Sequence, residues 1–275
     1  VIYFLSGMPR SGSTLLSNIL LQNPDMYVTA TSGLIDVVRT VRDICDKNSL
    51  FQAIPHDERD QVKLDMLRGV IAARFRQHEG KCCFDKSRGW PTIFELVENL
   101  FGSREAVKAI ICVRDLRDIL ASFEKLYRKT LKSSSTTQEA GDFIAHRTAL
   151  GRAEFIMRDK EPVGYSMDVV RDAVTRGWRD VMHFVDYDEL CRNPEKVLEK
   201  IYLFVGKPIF KHNFDRVEQV TVEDDTFHGF VGLHDIRSDV KPQRSQWPLV
   251  FDRAVTATPF WARVTEGARW WEHMG

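Results

Sequence analysis

A chain of 275 residues, 43% hydrophobic and 28% charged, is long enough to bury one large core and does not require two. Its 39 basic residues cancel its 39 acidic ones, which argues against a broad nucleic-acid or membrane-binding face but not against a local basic pocket. Apolar runs such as VIYFL (1–5) and AIICV (109–113) are too short to span a bilayer. Cys45, Cys82, Cys83, Cys112 and Cys191 show no metal-ligand spacing, so they read as reduced thiols and a cytoplasmic location is expected. The first residue is not methionine, which leaves an upstream targeting segment open.

VIYFLSG (1–7) has the continuous apolar run of a buried strand. Leu15, Leu16, Ile19 and Leu20 then recur at helical spacing until Asn23-Pro24 stops the helix. MYVTAT (26–31) reads as a second strand, and Asp57 to His78 as an amphipathic helix with Leu64, Leu67, Ile71 and Phe75 on one stripe. CCF (82–84) and AVKAIICV (106–113) supply a third and fourth strand, followed by a helix marked by Ile119, Leu120, Phe123 and Leu126. KTLKSSSTTQEAGD (129–142) is polar and aperiodic and is expected to form a mobile, lid-like loop. VMHFVDY (181–187) is a fifth strand, and Pro194 opens a helix carrying Val197, Leu198, Ile201 and Phe204. After about residue 221 the chain reads as irregular, with Gly229, Gly232, Pro242 and Pro248. Apolar strands alternating with helices predict a single α/β domain over 1–275, with a parallel sheet of about five strands covered on both faces. Ligands of such sheets sit beyond the carboxyl ends of the strands.

GMPRSGST (7–14) lies at such an end and nearly spells a Walker A phosphate loop, so a P-loop NTPase-like three-layer fold is expected. A nest of backbone N–H groups at a helix N-terminus binds anions whatever its side chains. Ser13, however, stands where the loop lysine belongs, and the cation of the loop is Arg10. AIICV ends in Arg114 rather than in a magnesium-holding acid, although Asp115 follows. A short anionic chain neutralised by arginine without a metal fits better than magnesium–ATP. The plain alternative is a tight strand–helix turn without a ligand.

FLSGMPRSGSTLL resembles the 5′-phosphosulfate loop of sulfotransferases that use 3′-phosphoadenosine 5′-phosphosulfate (PAPS), nearest the Pro-Arg-Ser-Gly-Thr/Ser-Thr branch that includes tyrosylprotein sulfotransferases. IICVRDLRDILASF is similar to the family's strand ending in Val-Arg-Asp with a serine eight residues on, here Arg114 and Ser122, with Leu116 where proline is usual. VDYDELCRNPEKVLEKIYLFVGKP and FDKSRGWP resemble two further family elements, and the four stand in family order.

The resemblance implies that Ser11, Gly12, Ser13 and Thr14 take the 5′-phosphosulfate, with Arg114 and Ser122 on the 3′-phosphate. One guanidinium fork plus a hydroxyl suits a phosphate monoester. Tyr187 would help place the nucleotide, and Lys241, less securely Arg237, would complete its site. Without the resemblance, Arg114 reads as a surface ion pair and Tyr187 as a core residue. Arg10 would stabilise the bridging oxygen, with Lys86 approaching from the facing strand; neither role needs a metal.

The general base is less legible. Thr31 stands where the tyrosylprotein branch has glutamate, and Arg88 where another branch has histidine two residues after the lysine. Asp36 is the candidate base, with Asp85 and His56 as rivals, and a helix-surface role competes for Asp36. The expected partners are a small-molecule, carbohydrate or peptide acceptor bearing a hydroxyl or amine, with no nucleic acid and with a homodimer as an option. A kinase or NTPase with a displaced cation, or a non-catalytic nucleotide scaffold, is the alternative. Trp90, Trp247, Trp261, Trp270 and Trp271 would line a pocket or, more ordinarily, fill the core.

Overall fold

The apolar runs pair into one sheet in a computed structural model of the chain, which describes residues 2–133 and 147–274. The strands are β1 (Ile2–Gly7), β2 (Met26–Thr31), β3 (Cys82–Lys86), β4 (Ala109–Val113) and β5 (Met182–Asp186). They lie in the order β2-β3-β1-β4-β5, and every pair is parallel. Parallel neighbours need crossover helices, which is why each strand reads as a nearly continuous apolar run rather than an alternating one.

Successive strand residues still point to opposite faces, and they separate two cores. Phe4, Ala109, Ile111 and Val113 join the cluster on one face with Trp90, Trp261, Trp270 and Trp271. Tyr3, Leu5, Ile110 and Cys112 join Leu16, Ile19 and Ile201 on the other. The tryptophans that the sequence offers as pocket candidates are thus core residues, apart from Trp247, which packs against that core from its edge.

The α-helices among the described residues are α1 (Ser13–Leu20), α2 (Leu34–Lys47), α3 (Ser49–Gln52), α4 (His56–Phe75), α5 (Phe94–Phe101), α6 (Leu116–Ser133), α7 (Ala149–Ile156), α8 (Pro162–Thr175), α9 (Tyr187–Arg192), α10 (Pro194–Val205), α11 (Trp247–Val250), α12 (Arg253–Thr256) and α13 (Pro259–Glu266). The stretch read as irregular after about residue 221 therefore carries three α-helices, the last opened by the Thr258 cap and seated on the core by Trp261 and Val264. The stretch expected to form a loop at 129–142 begins inside α6, which runs on to Ser133; the remainder, from 134, lies outside the described residues. Thr130 explains the continuation, because its buried hydroxyl receives the Val231 amide and ties the helix to the C-terminal segment. Two strand ends also shift. β3 runs on through Asp85 and Lys86, and Val107 and Lys108 precede β4 rather than belong to it. No helix among the described residues is long and apolar enough to cross a membrane.

Candidate active site

The register of the sheet sets the site. Leu5 of β1 stands beside Lys86 of β3, and Gly7 beside Cys112 of β4, so the loop emerges between Lys86 and Arg114. Gly7 has φ 116°, and a Cβ there would lie 2.1 Å from the Cys112 carbonyl oxygen. Gly12 has φ 83°, and a Cβ there would lie 2.4 Å from Cδ2 of Tyr187. Both glycines of the loop motif are therefore demanded by close approach as well as by backbone conformation. The first bond of α1 closes from Leu16 N–H to the Gly12 carbonyl (2.9 Å), which leaves the Ser13, Thr14 and Leu15 amides ahead of it, at the positive end of the helix. The Ser11 hydroxyl is spent inside the loop on the Met8 carbonyl (2.6 Å), so its offering to a ligand is its amide.

Arg10 is the single non-glycine residue with positive φ (59°) among the described residues. That conformation carries its guanidinium away from Thr14 and onto α6, where Nε donates to Ser122 Oγ (3.0 Å) and Nη1 to the Leu233 carbonyl. Burial, and then the nearby Arg114, pull its pKa below the usual arginine value. The sequence reading separates Arg10 from Ser122; the structure joins them.

Arg114 stands at the end of β4, with its guanidinium 4.4 Å over the Tyr187 ring and Nη1 donating to the Arg10 carbonyl (3.3 Å). Its Nε is buried and has no hydrogen-bond partner among the described residues. Arg237 Nη2 donates to the Tyr187 hydroxyl (3.0 Å) and lines the same cleft. Lys241 does not line it; the side chain is 60% exposed and pairs with Asp239 at 3.2 Å. Of the two late cations, the structure brings in Arg237, which the Tyr187 hydroxyl holds at the cleft. Asp115, the residue placed to act as a magnesium-holding acid, is turned onto Arg117 (2.6 and 3.0 Å).

Lys86 closes the opposite side. Its Nζ donates to Thr14 Oγ1 (3.0 Å) and pairs with Glu223 Oε1 (3.2 Å), both side chains being nearly buried. Burial lowers the lysine pKa, against the pull of Glu223. Glu223 also accepts the Thr31 amide (2.9 Å), so the carboxylate missing from position 31 is supplied by a segment 192 residues further on. Burial alone would raise the Glu223 pKa, but Lys86, Thr31 and His234 hold it below the ordinary carboxylate value. His234 stands between two acids, with Nδ1 2.5 Å from Asp225 Oδ1 and Nε2 3.2 Å from Glu223 Oε2. Burial lowers its pKa, with Asp225 and Glu223 opposing.

The base candidates read from the sequence lie elsewhere. The Asp36 side chain is 74% exposed on the first turn of α2 and faces Arg39 at 3.6 Å. His56 opens α4 in solvent beside Asp57 and Asp60. Asp85 is wholly buried and holds the Trp90 indole (2.8 Å), because it faces the core side of β3 while Lys86 faces the loop. None of the three lines the cleft.

These groups surround one cavity of about 990 Å³, walled by the loop, the ends of β3 and β4, α6, the start of α8, and residues 228–237. A parallel sheet with a glycine-bracketed loop at the carboxyl end of its central strand defines a mononucleotide-binding α/β protein. Residues 3–246 match the family model of the sulfotransferase domain, and the chain belongs to that family. It is a sulfotransferase, an enzyme that moves a sulfuryl group to an acceptor.

Solved structures agree on the fold at low identity. A sulfotransferase domain from the curacin biosynthetic pathway superposes with a TM-score of 0.62 at 15% identity, covering 97% of this chain and 96% of that one. A mouse sulfotransferase complexed with PAP gives 0.54 at 15% identity, covering 98% and 84%. A retinol dehydratase in complex with androsterone and the inactive cofactor PAP gives 0.53 at 14%, covering 97% and 80%. Comparison with curated proteins finds no match.

Proposed function

We propose that this sulfotransferase takes its sulfuryl group from PAPS and delivers it to a hydroxyl of an organic acceptor. The observation that carries the donor is Arg114, a half-buried arginine whose buried Nε has no partner among the described residues, stacked on Tyr187 beside Arg10 and Ser122. A forked cation with a free donor, a second arginine and a hydroxyl make a phosphate-monoester holder separate from the loop amides. A nucleoside triphosphate has no 3′-phosphate to place there, and Asp115 is engaged elsewhere. The mouse sulfotransferase and the retinol dehydratase, each complexed with PAP, fit the same donor.

In this reading Arg10, Arg114 and Ser122 hold the 3′-phosphate, with Tyr187 and Arg237 framing the nucleotide. The Ser13 and Thr14 amides and the Thr14 hydroxyl hold the 5′-phosphosulfate. Lys86 neutralises charge developing on the bridging oxygen as the sulfur–oxygen bond breaks and the acceptor oxygen bonds to sulfur. The acceptor proton goes to His234. Its Nδ1 lies 2.5 Å from Asp225 Oδ1 and its Nε2 3.2 Å from Glu223 Oε2, so the ring takes the proton beside a carboxylate that shares it, while burial holds the imidazole pKa below its ordinary value.

Two measurements test these roles. 3′,5′-ADP is expected to raise the melting temperature with no metal added, and magnesium–ATP is not; the reverse pattern would overturn the donor assignment. His234→Asn is expected to lower kcat by about 10²–10⁴ while leaving 3′,5′-ADP affinity intact. In the parent enzyme, kcat/KM should fall on the acid side as the imidazole protonates, with a midpoint below its ordinary 6.5. An unchanged kcat in His234→Asn removes His234 from the chemistry.

A further inference from the structure

The cations of the cleft divide by what they already hold. Arg10, Lys86 and Arg237 each donate to a loop, helix or ring partner of the nucleotide side, and Lys129 pairs with Asp235 at 2.9 Å. Arg88 is different. It sits just past the end of β3, with its carbonyl fixed by the Ser6 hydroxyl (3.2 Å) and the Ser87 amide before it held by the Leu5 carbonyl (3.0 Å). Its side chain reaches the start of α8, where Nη1 donates to the Pro162 carbonyl (3.2 Å). It has no carboxylate partner among the described residues. Glu161 lies on the same wall, yet the ionisable group that acts on Arg88 is the Tyr165 phenol.

Around Arg88 the wall is apolar and aromatic, made by Phe155, Ile156, Pro162 and Tyr165, with Lys160 at its edge. Arg88 is exposed, with the rest of its fork open to the cleft, while the crowding of these wall residues draws its pKa below the ordinary arginine value. In the open cleft water solvates the fork; an acceptor that fills the cleft strips that water, which is costly unless the acceptor itself completes the guanidinium. Two residues of extended chain span about 7 Å, so the fork emerges close to Lys86, where sulfuryl transfer takes place.

From this juxtaposition we infer that the acceptor is a hydroxylated apolar acid, whose carboxylate is received by Arg88 while its carbon skeleton lies on Phe155, Ile156 and Tyr165. The inference rests on the reading of the cleft as a PAPS-dependent transfer site. A planar carboxylate matches the guanidinium fork in two parallel hydrogen bonds. A neutral sterol or simple phenol leaves Arg88 desolvated and unpaired, which disfavours it.

The test uses the full chain saturated with 3′,5′-ADP, titrated calorimetrically with decanoate and phenylpropionate and, separately, with their amides. The acids are expected to bind at least about tenfold more tightly than the amides. Arg88→Met should remove that gap, Arg88→Lys should keep part of it, and 3′,5′-ADP affinity should not change in either. Equal binding of acids and amides by the parent protein overturns the inference, as does a gap that survives in Arg88→Met. Failure of the PAPS reading shows separately, as absent binding of 3′,5′-ADP before any acid is added.

Discussion

Lys86→Met is expected to lower kcat by about 10²–10³ with little change in the affinity for 3′,5′-ADP, the size of effect that follows removal of one donor to a developing oxyanion. The split between the two readouts follows from position. Lys86 Nζ stands at Thr14 Oγ1 and Glu223 (3.0 and 3.2 Å), on the far side of the loop from Arg114 and Ser122, so the product nucleotide is held chiefly without it. Its charge matters when the bond to the leaving phosphate breaks, since an interaction made mainly in the transition state shows in kcat. The substitution also strips Glu223 of the partner that offsets its burial, and that carboxylate should then protonate more readily. Glu223→Gln in the Lys86→Met background separates the two effects, because it removes the stranded charge without returning the cation. Rescue of kcat by that second change would show that Lys86 serves only to neutralise Glu223. A parallel loss of 3′,5′-ADP affinity in the single variant would place Lys86 among the nucleotide holders.

What the sequence makes legible is local and periodic. β1, the loop, α1 and the strand ending at Arg114 are contiguous, and their residues declare themselves by apolar runs, glycines and one misplaced cation. The region beyond residue 221 carries no such period, and it is there that Glu223, Asp225 and His234 lie. Their roles depend on three-dimensional return. Thr31 stands at a position where a related branch has glutamate, and the chain meets the same need by bringing Glu223 onto the Thr31 amide. The acidic run VEDD (222–225) followed by His234 is the one sequence signal that points there, and by itself it reads as solvated surface. The choice of Lys241 over Arg237 fails for a similar reason. They stand four positions apart, and which one faces the cleft is decided by its partner, the Tyr187 hydroxyl for Arg237 and Asp239 for the exposed Lys241, not by charge. Asp36 is the first acid after Thr31 in sequence, but a helix turn points it outward, and proximity along the chain carries no information about the side of a helix.

Arg114→Ala is expected to weaken 3′,5′-ADP binding by about 10² or more, the consequence of losing a buried, charge-assisted contact worth roughly 2–5 kcal/mol. The guanidinium is already organised for the ligand. The Tyr187 ring lies 4.4 Å beneath it, the Arg10 carbonyl takes one nitrogen at 3.3 Å, and Nε is left without a partner among the described residues. Little ordering is then required when a phosphate arrives, and little of that arrangement survives truncation. Adenosine 5′-phosphate supplies the control, since it lacks the 3′-phosphate. The parent protein should bind it far more weakly than 3′,5′-ADP, and Arg114→Ala should bind both about equally. Arg10→Ala is expected to act in the same direction, because its guanidinium is carried to Ser122 rather than to the transfer end of the loop. If Arg10→Ala instead spares 3′,5′-ADP affinity and loses only kcat, its side chain must swing toward the bridging oxygen when the donor binds. That would return Arg10 to the role its place in GMPRSGST first suggests. If Arg114→Ala leaves the discrimination between the two nucleotides intact, the 3′-phosphate lies elsewhere and the clamp at Arg114, Arg10 and Ser122 is a structural knot that fastens the loop to α6.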